Sequence, residues 1–153
     1  AHKNIMLNAA LQSLEVLVGD WVMVLSNTSF LSDPTDKLKG YASFEFIENG
    51  GFLIMRQGST FPGPAAASWL IGRDDAIEDY TVLYFDSRGI SRKYEMSFCH
   101  GKWKMWRSSP RFWQRFEGEF NKNANKITAF WEKSVDGKNW AHDFDVEFTR
   151  IHG

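Results

Sequence analysis

The chain has 153 residues, 43% of them hydrophobic and 24% charged, and its 18 basic and 19 acidic side chains leave a formal net charge of −1. That length fits one domain over residues 1–153; the balanced charge argues against a nucleic-acid partner, and no apolar run approaches the roughly 20 residues that cross a membrane. The single cysteine, Cys99, excludes an internal disulfide and a multi-cysteine metal site.

The chain begins with a stretch of helical periodicity and then changes to a period of two. The apolar stripe of this stretch consists of Leu7, Leu11, Leu14 and Val18, and Gly19 follows it as a stop signal. Beyond Gly19, alternation and glycine-rich turns predict about ten strands. The predicted strands cover residues 20–26, 40–48, 51–58, 68–73, 79–86, 90–98, 102–107, 112–120, 126–133 and 139–150.

Two tight turns fix which residues share a face of the predicted sheet. Asn49-Gly50 and His100-Gly101 supply the positive-φ residues that two-residue hairpin turns need. The resulting cross-strand pairs are Phe46 with Leu53, Phe44 with Met55, Ala42 with Gln57, Phe98 with Trp103, Met96 with Met105 and Tyr94 with Arg107. Independent turns therefore agree on one apolar face.

Two longer loops, at 108–111 and 134–137, extend this reasoning to the last strands. They pair Arg107 with Phe112, Met105 with Gln114, Trp131 with Trp140 and Ala129 with His142. In the last strand, His142 then lies on the inner face and Asp143 on the outer one.

A meander of about ten antiparallel strands with one apolar face hides its edges most readily by closing into an up-and-down barrel. Because eight strands already leave room for a small ligand, ten predict a cavity. An open two-layer sandwich is the alternative. The helix before Gly19 lies at the end of the short turns, where it plugs the barrel. The long loops 27–39 and 59–67 lie at the open end, and the Phe-Pro-Gly-Pro sequence of residues 61–64 is either a lid or an ordinary surface loop.

The two ends of the predicted sheet carry a recognisable pair of residues. Gly19-Asp20-Trp21 begins the first strand and Arg150 lies near the end of the last. They resemble the lipocalin and wider calycin signature, in which an arginine of the final strand covers a G-x-W tryptophan at the barrel base. Barrel closure makes the first and last strands neighbours, so the two side chains can stack.

The resemblance extends to other segments and carries its own implications. The segments in question are Tyr84-Phe85-Asp86-Ser87-Arg88-Gly89 and Trp131-Glu132-Lys133-Ser134. They look like a bacterial lipocalin-like family that has a common fold and no established activity. The resemblance implies a closed calycin barrel with a lead-in helix, and the lack of the disulfides of secreted lipocalins favours a cytoplasmic location.

Polar and aromatic side chains converge on the inner face near the open end. By parity they are Gln57, Arg92, Tyr94, Arg107, Gln114 and His142, with Phe112, Trp131 and Trp140 around them and Leu83 and Phe85 deeper or alongside. An apolar cup with a few convergent polar groups is the usual form of a small-molecule site. The predicted function is therefore binding of a small hydrophobic or aromatic molecule in the barrel.

Arg92, Tyr94 and Arg107 point to the polar end of that molecule. Inward arginines are costly unless an anion or another partner compensates them. The trio chemically resembles the Arg-x-Tyr carboxylate clamp of fatty-acid-binding calycins, although on a different strand, and so predicts a ligand with a carboxylate. In the alternative, the arginines pair with a loop carboxylate or reach solvent.

His142 and Tyr94 leave two other functions open. An isomerase or cyclase could use either residue as its acid or base, with Arg107 stabilising an enolate. Nitrobindin-like calycins hold haem on a histidine near the chain's end, so the resemblance also allows haem on His142. In the ordinary interpretation, His142 is a rim residue bonded to Tyr94 or water. No metal-ligand spacing is present, and the leading prediction has neither metal nor cofactor.

Two tryptophans are predicted on the outer face. Trp106 and Trp113 fall opposite one another on neighbouring strands and point away from the cup. Because exposed paired indoles usually mark a contact surface, they predict a homodimer through this face. The alternative is that lysine stems such as that of Lys104 cover the rings.

Overall fold

The structure, a computed structural model, describes residues 8–61, 63 and 65–152. A 3-10 helix over Ala9–Leu17 precedes ten strands, and a short 3-10 turn over Glu48–Gly50 links the second strand to the third. The strands are β1 (Gly19–Ser26), β2 (Leu38–Ile47), β3 (Phe52–Gly58), β4 (Ala67–Arg73), β5 (Tyr80–Asp86), β6 (Ser91–Cys99), β7 (Lys102–Arg107), β8 (Trp113–Phe120), β9 (Lys126–Ser134) and β10 (Ala141–His152).

Consecutive strands pair antiparallel, and β1 pairs with β10, so the sheet closes into a barrel. This confirms the predicted all-β, ten-stranded up-and-down architecture and excludes the open sandwich. Pro62 and Pro64 of the predicted lid lie outside the described residues. Within the described ranges, no helix combines the length and the apolar character that crossing a bilayer requires.

The N-terminal helix plugs one end of the barrel, as predicted, but its buried face differs from the predicted stripe. Leu11, Leu14 and Leu17 are fully buried. Their spacing of three residues is the repeat of a 3-10 helix. Val18 is only partly buried and ends the helix. Leu7 lies outside the described residues.

The predicted seal between the first and last strands is present at the plugged end. The Trp21 indole is fully buried and donates from Nε1 to the Leu17 carbonyl at 2.9 Å. The Arg150 guanidinium lies over the indole, 4.2 Å from its centroid. It also donates to the carbonyls of Val16, Val18 and Ala124. Burial lowers the pKa of Arg150, and the carbonyls and the ring are what compensate its charge.

Five of the six pairs predicted from the two tight turns are confirmed, and the paired part of β6 and β7 ends at Glu95 and Trp106, before the sixth. Phe44 lies opposite Met55 and Met96 opposite Met105. Asn49 and His100 have positive φ angles, as the turns require. These hairpins place alternate apolar residues of β2, β3, β6 and β7 inside the barrel.

The β7–β8 loop is longer than predicted. Arg107 lies opposite Gln114, and Met105 lies opposite Phe116, rather than opposite Phe112 and Gln114. Arg111 adopts a positive φ and Phe112 donates to the Ser109 carbonyl, so the turn extends beyond the predicted loop. A shift of two residues leaves each side chain on its predicted face.

The same shift separates the two outer tryptophans. Trp106 lies opposite Arg115, so its predicted pairing with Trp113 is wrong. The Trp113 ring packs on Gly137, where an added Cβ would come within 2.7 Å of it. The homodimer through this face stays a prediction, without the support of paired indoles.

Leu83 and Phe85 lie on the outer surface, not inside. The three-residue turn over 87–89 pairs Tyr84 with Arg92. Because cross-strand partners share a face, Val82 and Tyr84 are the β5 residues that face inward with Arg92. Leu83 and Phe85 alternate with them and are exposed.

The β9–β10 connection contains the largest departure from the predicted register. Glu132 lies opposite His142 and Trp131 opposite Phe144, which leaves Asp143 as an extra residue in a β-bulge. The predicted pairs of Trp131 with Trp140 and Ala129 with His142 are therefore wrong.

A polar turn accounts for the displaced start of β10. Asp136 accepts hydrogen bonds from the backbone N–H groups of Lys138 and Asn139 and from Ser134 Oγ. These bonds hold the pKa of Asp136 well below its usual range. They also hold residues 134–139 in a wide loop, so that β10 begins only at Ala141.

Candidate ligand-binding cavity

A cavity of about 470 Å³ lies inside the barrel at the end opposite the helix. Loop and strand-end residues reach its mouth: Phe30 after β1, Arg88 in the β5–β6 turn, Phe112 in the β7–β8 loop and Asp143 at the start of β10. Its apolar floor is formed by Met55, Trp103, Met105, Phe116 and Phe148.

An aromatic band surrounds the middle of the cavity. The Trp69 ring lies 4.6 Å from Tyr84, 5.2 Å from Tyr94 and 6.0 Å from Trp131, between ring centroids. Edge-to-face and tilted contacts of this kind hold flat side chains in fixed orientations. The band therefore offers preformed aromatic walls to a flat ligand.

Two glutamines line the cavity, and the carbonyl oxygen of each accepts a hydrogen bond from an aromatic side chain. Gln57 Oε1 accepts from Trp69 Nε1 at 3.0 Å. Gln114 Oε1 accepts from the Tyr94 hydroxyl at 2.5 Å. Gln57 Nε2 donates to Met55 Sδ at 3.8 Å, and no described residue accepts from Gln114 Nε2. Both residues line the cavity, as predicted.

Arg92, Tyr94 and Arg107 come together at the mouth, also as predicted. The Phe112 ring lies between the two guanidiniums, 4.9 Å from Arg92 Cζ and 5.6 Å from Arg107 Cζ. Arg92 lines the cavity itself, whereas Arg107 lies behind Phe112 and donates from Nε to the Phe112 carbonyl. No described carboxylate pairs with either arginine. Arg92 also lies over the Tyr84 ring, and Arg107 over the Tyr94 ring.

A third arginine at the mouth is already neutralised. Arg88 donates from Nη2 to Asp86 Oδ2 at 2.6 Å, and the Tyr84 hydroxyl donates to the same oxygen. Burial and the adjacent carboxylate raise the pKa of Tyr84 to about 12, while Arg88 and Tyr84 lower that of Asp86. Arg92 is thus the cation in the described lining that lacks a counter-ion.

Tyr94 is built as a hydrogen-bond donor. Burial raises its pKa, and the nearby charges of Arg92 and Arg107 offset the effect only in part. At neutral pH the phenol keeps its proton and donates it to Gln114. This state does not suit the general-base role considered for it.

His142 and Trp140 lie outside the cavity, and their predicted inward placement is wrong. The bulge at Asp143 turns the His142 side chain outward, where it is 44% exposed and lies 3.4 Å from Asp145 Oδ1. Trp140 precedes β10 and lies under the outward-facing Arg115, whose Cζ is 4.0 Å from the ring. The described lining contains no histidine, so the cavity does not fit a haem held through His142.

The seven other predicted residues lie at the cavity or its mouth. Six of them are in the lining, namely Gln57, Arg92, Tyr94, Phe112, Gln114 and Trp131, and Arg107 lies at the mouth. The lining residues that were not predicted are Met23, Leu25, Phe30, Trp69, Tyr84, Arg88 and Asp143. Trp69 alternates with the buried Ile71 on β4, a pattern that could have placed it inside.

Comparisons with known proteins support the fold and assign no family. No protein-family model matches the chain, and no curated protein matches its sequence. Among solved structures, the crystal structure of Rv2717c from M. tuberculosis is similar, with a TM-score of 0.60 and 11% sequence identity. The likeness covers 95% of this chain and 99% of that one and concerns the fold alone. The residues of the cavity therefore have to carry the functional argument.

Proposed function

We propose that the barrel binds a small hydrophobic or aromatic molecule that carries a carboxylate or a similar acceptor group. The observation that carries the proposal is Arg92, which lines an aromatic cavity and has no described counter-ion. A cavity of about 470 Å³ lies in the usual size range of small-molecule sites. The sequence resembles calycins, whose barrels enclose their ligands, and this resemblance supports the proposed role.

The arrangement of charge favours binding over catalysis. The histidine considered as an acid or base lies outside the cavity, and the hydroxyl of the tyrosine inside it is already bonded to Gln114 Oε1. What remains is a set of donors on residues that line one cavity, namely Arg92 and the amide of Gln114. Donors of this kind hold an acceptor group in place. A cytoplasmic location and the lack of a nucleic-acid partner stay predictions.

Titration calorimetry with 2-naphthoate and decanoate tests the proposal. We expect saturable binding of at least one of the two acids. Replacing Arg92 with Gln should weaken it about tenfold or more, because a hydrogen bond to a charged acceptor is lost. The affinity for 2-naphthol, which carries no carboxylate, should change little.

Arg56 provides the matched control. It lies on β3, on the outer surface, and pairs with Glu45 at 2.6 Å. Replacing Arg56 with Gln should leave the affinities for 2-naphthoate and decanoate unchanged. Equal losses in the Arg92 and Arg56 variants, or no saturable binding of either acid to the wild type, would contradict the proposed function.

A further inference from the structure

The bulge in β10 brings a carboxylate into the cavity. Asp143 is 8% exposed and is the one acidic residue in the described lining. Its Oδ1 accepts from Ser29 Oγ at 2.7 Å and lies 3.5 Å from Lys133 Nζ. Its carbonyl accepts from the Ser29 N–H at 2.7 Å, which fixes the bulge to the loop after β1.

One oxygen of this carboxylate is left open. Oδ2 of Asp143 accepts no hydrogen bond from the described residues, whereas Oδ1 has two partners. Oδ2 is not fully enclosed by protein atoms, so a donor supplied by a ligand can reach it. A hydrogen bond to a charged acceptor is stronger than one between neutral groups. The arrangement therefore offers an acceptor with a fixed direction, held by Ser29 and Lys133.

Asp143 and Arg92 lie on opposite walls of the mouth. Around the closed barrel, three strands separate β10 from β6 on one side and five on the other. The two charges do not pair with each other, although both line the same cavity. Phe144 and Trp131 lie on the Asp143 side, and Phe112 and Tyr84 on the Arg92 side. The cavity thus has two poles of opposite charge with aromatic rings between them.

Building on the proposed function, we infer that the ligand is polar at both ends: an aromatic acid whose carboxylate faces Arg92 and whose hydroxyl or amino group donates to Asp143 Oδ2. An aromatic core between the two groups would lie against the band formed by Trp69, Tyr94 and Trp131. A purely structural role for Asp143, as an anchor for Ser29, is the competing explanation that the test must separate.

Three probes of one shape test the inference by calorimetry on the full chain: 2-naphthoate, 6-hydroxy-2-naphthoate and 6-methoxy-2-naphthoate. Their substituents lie at opposite ends of a flat ring system. We expect the hydroxyl compound to bind about tenfold more tightly than the other two, because only it donates a hydrogen bond to a charged acceptor. Equal affinity for the hydroxyl and methoxy compounds would overturn the inference.

Replacing Asp143 with Asn should reduce the hydroxyl advantage, measured as the ratio of the affinities for the hydroxyl and methoxy compounds, to about threefold or less. Asp145→Asn is the matched control, since Asp145 lies two residues further along β10 and bonds outside the cavity to Asn27 and His142. A hydroxyl advantage that survives Asp143→Asn, or that Asp145→Asn removes equally, overturns the inference.

The two proposals fail in different ways. If 2-naphthoate binds and depends on Arg92, but the hydroxyl group adds nothing, the proposed function stands and Asp143 is structural. If none of the three probes binds but decanoate does, the inference falls and the proposed function stands. If decanoate does not bind either, both fall. Should the Asp143 variant lose its near-ultraviolet circular dichroism, and so not fold, the hydroxyl and methoxy comparison in the wild type decides alone.

Discussion

Three arginines at the mouth differ in what already surrounds them. Arg88 is bonded to Asp86, Arg107 lies behind the Phe112 ring, and Arg92 alone of the three borders the cavity without a described carboxylate. A guanidinium that is already neutralised gains little from a second anion. An anionic ligand should therefore depend most on Arg92 and least on Arg88.

The Tyr84 phenol gives a direct test of the mouth geometry. Burial and Asp86 raise its pKa to about 12, above the value of about 10 in an unfolded chain. In near-ultraviolet absorbance after stopped-flow pH jumps, we expect a tyrosine transition near pH 12 that Tyr84→Phe removes and Asp86→Asn moves to lower pH.

The sign of the effect on stability follows from the same pKa. The folded state holds this proton longer than the unfolded state. The contribution of Tyr84 to the free energy of unfolding is therefore complete below about pH 10 and is lost as the pH rises toward 12. If the absorbance transition near pH 12 is unchanged in Tyr84→Phe, it arises from the ionisation of another tyrosine, and the assignment to Tyr84 is wrong.

Single residues could be placed from the sequence where a tight turn fixed their parity. Gln57 lies on the face that the Asn49-Gly50 turn predicts, and Tyr94 lies on the face that the His100-Gly101 turn predicts. Gln114 lies on its predicted face although its predicted cross-strand partner is wrong. The observed register differs from the predicted one by two residues, and an even shift does not change the face.

At the scale of the element, the bulge in β10 is the feature that alternation could not reveal. Because of the extra residue, the β10 residues before the bulge lie on the face opposite to the predicted one. The residues after the bulge lie on their predicted faces. Phe144 and Val146 therefore face inward as predicted, while His142 and Asp143 exchange sides. The sequence contains no glycine at this point to mark the irregularity.

The N-terminal helix offers a second test at this scale. Replacing the fully buried Leu17 with Ala should lower the free energy of unfolding by about 2–5 kcal/mol, because it leaves a cavity in a packed plug. Val18→Ala should cost less than half as much, since Val18 is only partly buried. Urea denaturation measures both variants. A larger loss of stability in Val18→Ala than in Leu17→Ala would indicate that the buried face follows the α-helical spacing instead of the three-residue repeat of a 3-10 helix.

For the whole molecule, one side-chain contact reinforces the closure that the pairing of β1 with β10 provides. Arg150→Met removes the charge over Trp21 and the hydrogen bonds to three carbonyls. We expect the free energy of unfolding to fall by about 2 kcal/mol or more. The affinity for 2-naphthoate should not change, because the seal and the mouth lie at opposite ends.

Unfolding in urea and calorimetry on the same preparation separate these two effects. Unchanged stability would mean that the guanidinium adds nothing to the seal. A matching loss of affinity would mean that the two ends of the barrel are coupled.

Closure itself could be foreseen from the sequence, because many short antiparallel strands with one apolar face leave few other ways to bury their edges. The contents of the cavity could be foreseen only in part. Trp69 and Tyr84 lie on β4 and β5, which are joined by the irregular loop over 74–79 that gives no register. The alternation of Trp69 with Ile71 could have placed Trp69 inside. The inward direction of Tyr84 depends on its pairing with Arg92 on β6, which the linear pattern does not encode.

The exposed thiol of Cys99 lies at the end of β6 beside the plugged end of the barrel, and it is the chain's one cysteine. A maleimide tether would therefore attach every molecule to a sensor chip in the same orientation, with the mouth turned toward the flowing buffer. A fluorophore coupled there would sit far from any bound compound and report rotational diffusion undisturbed by quenching at the entrance.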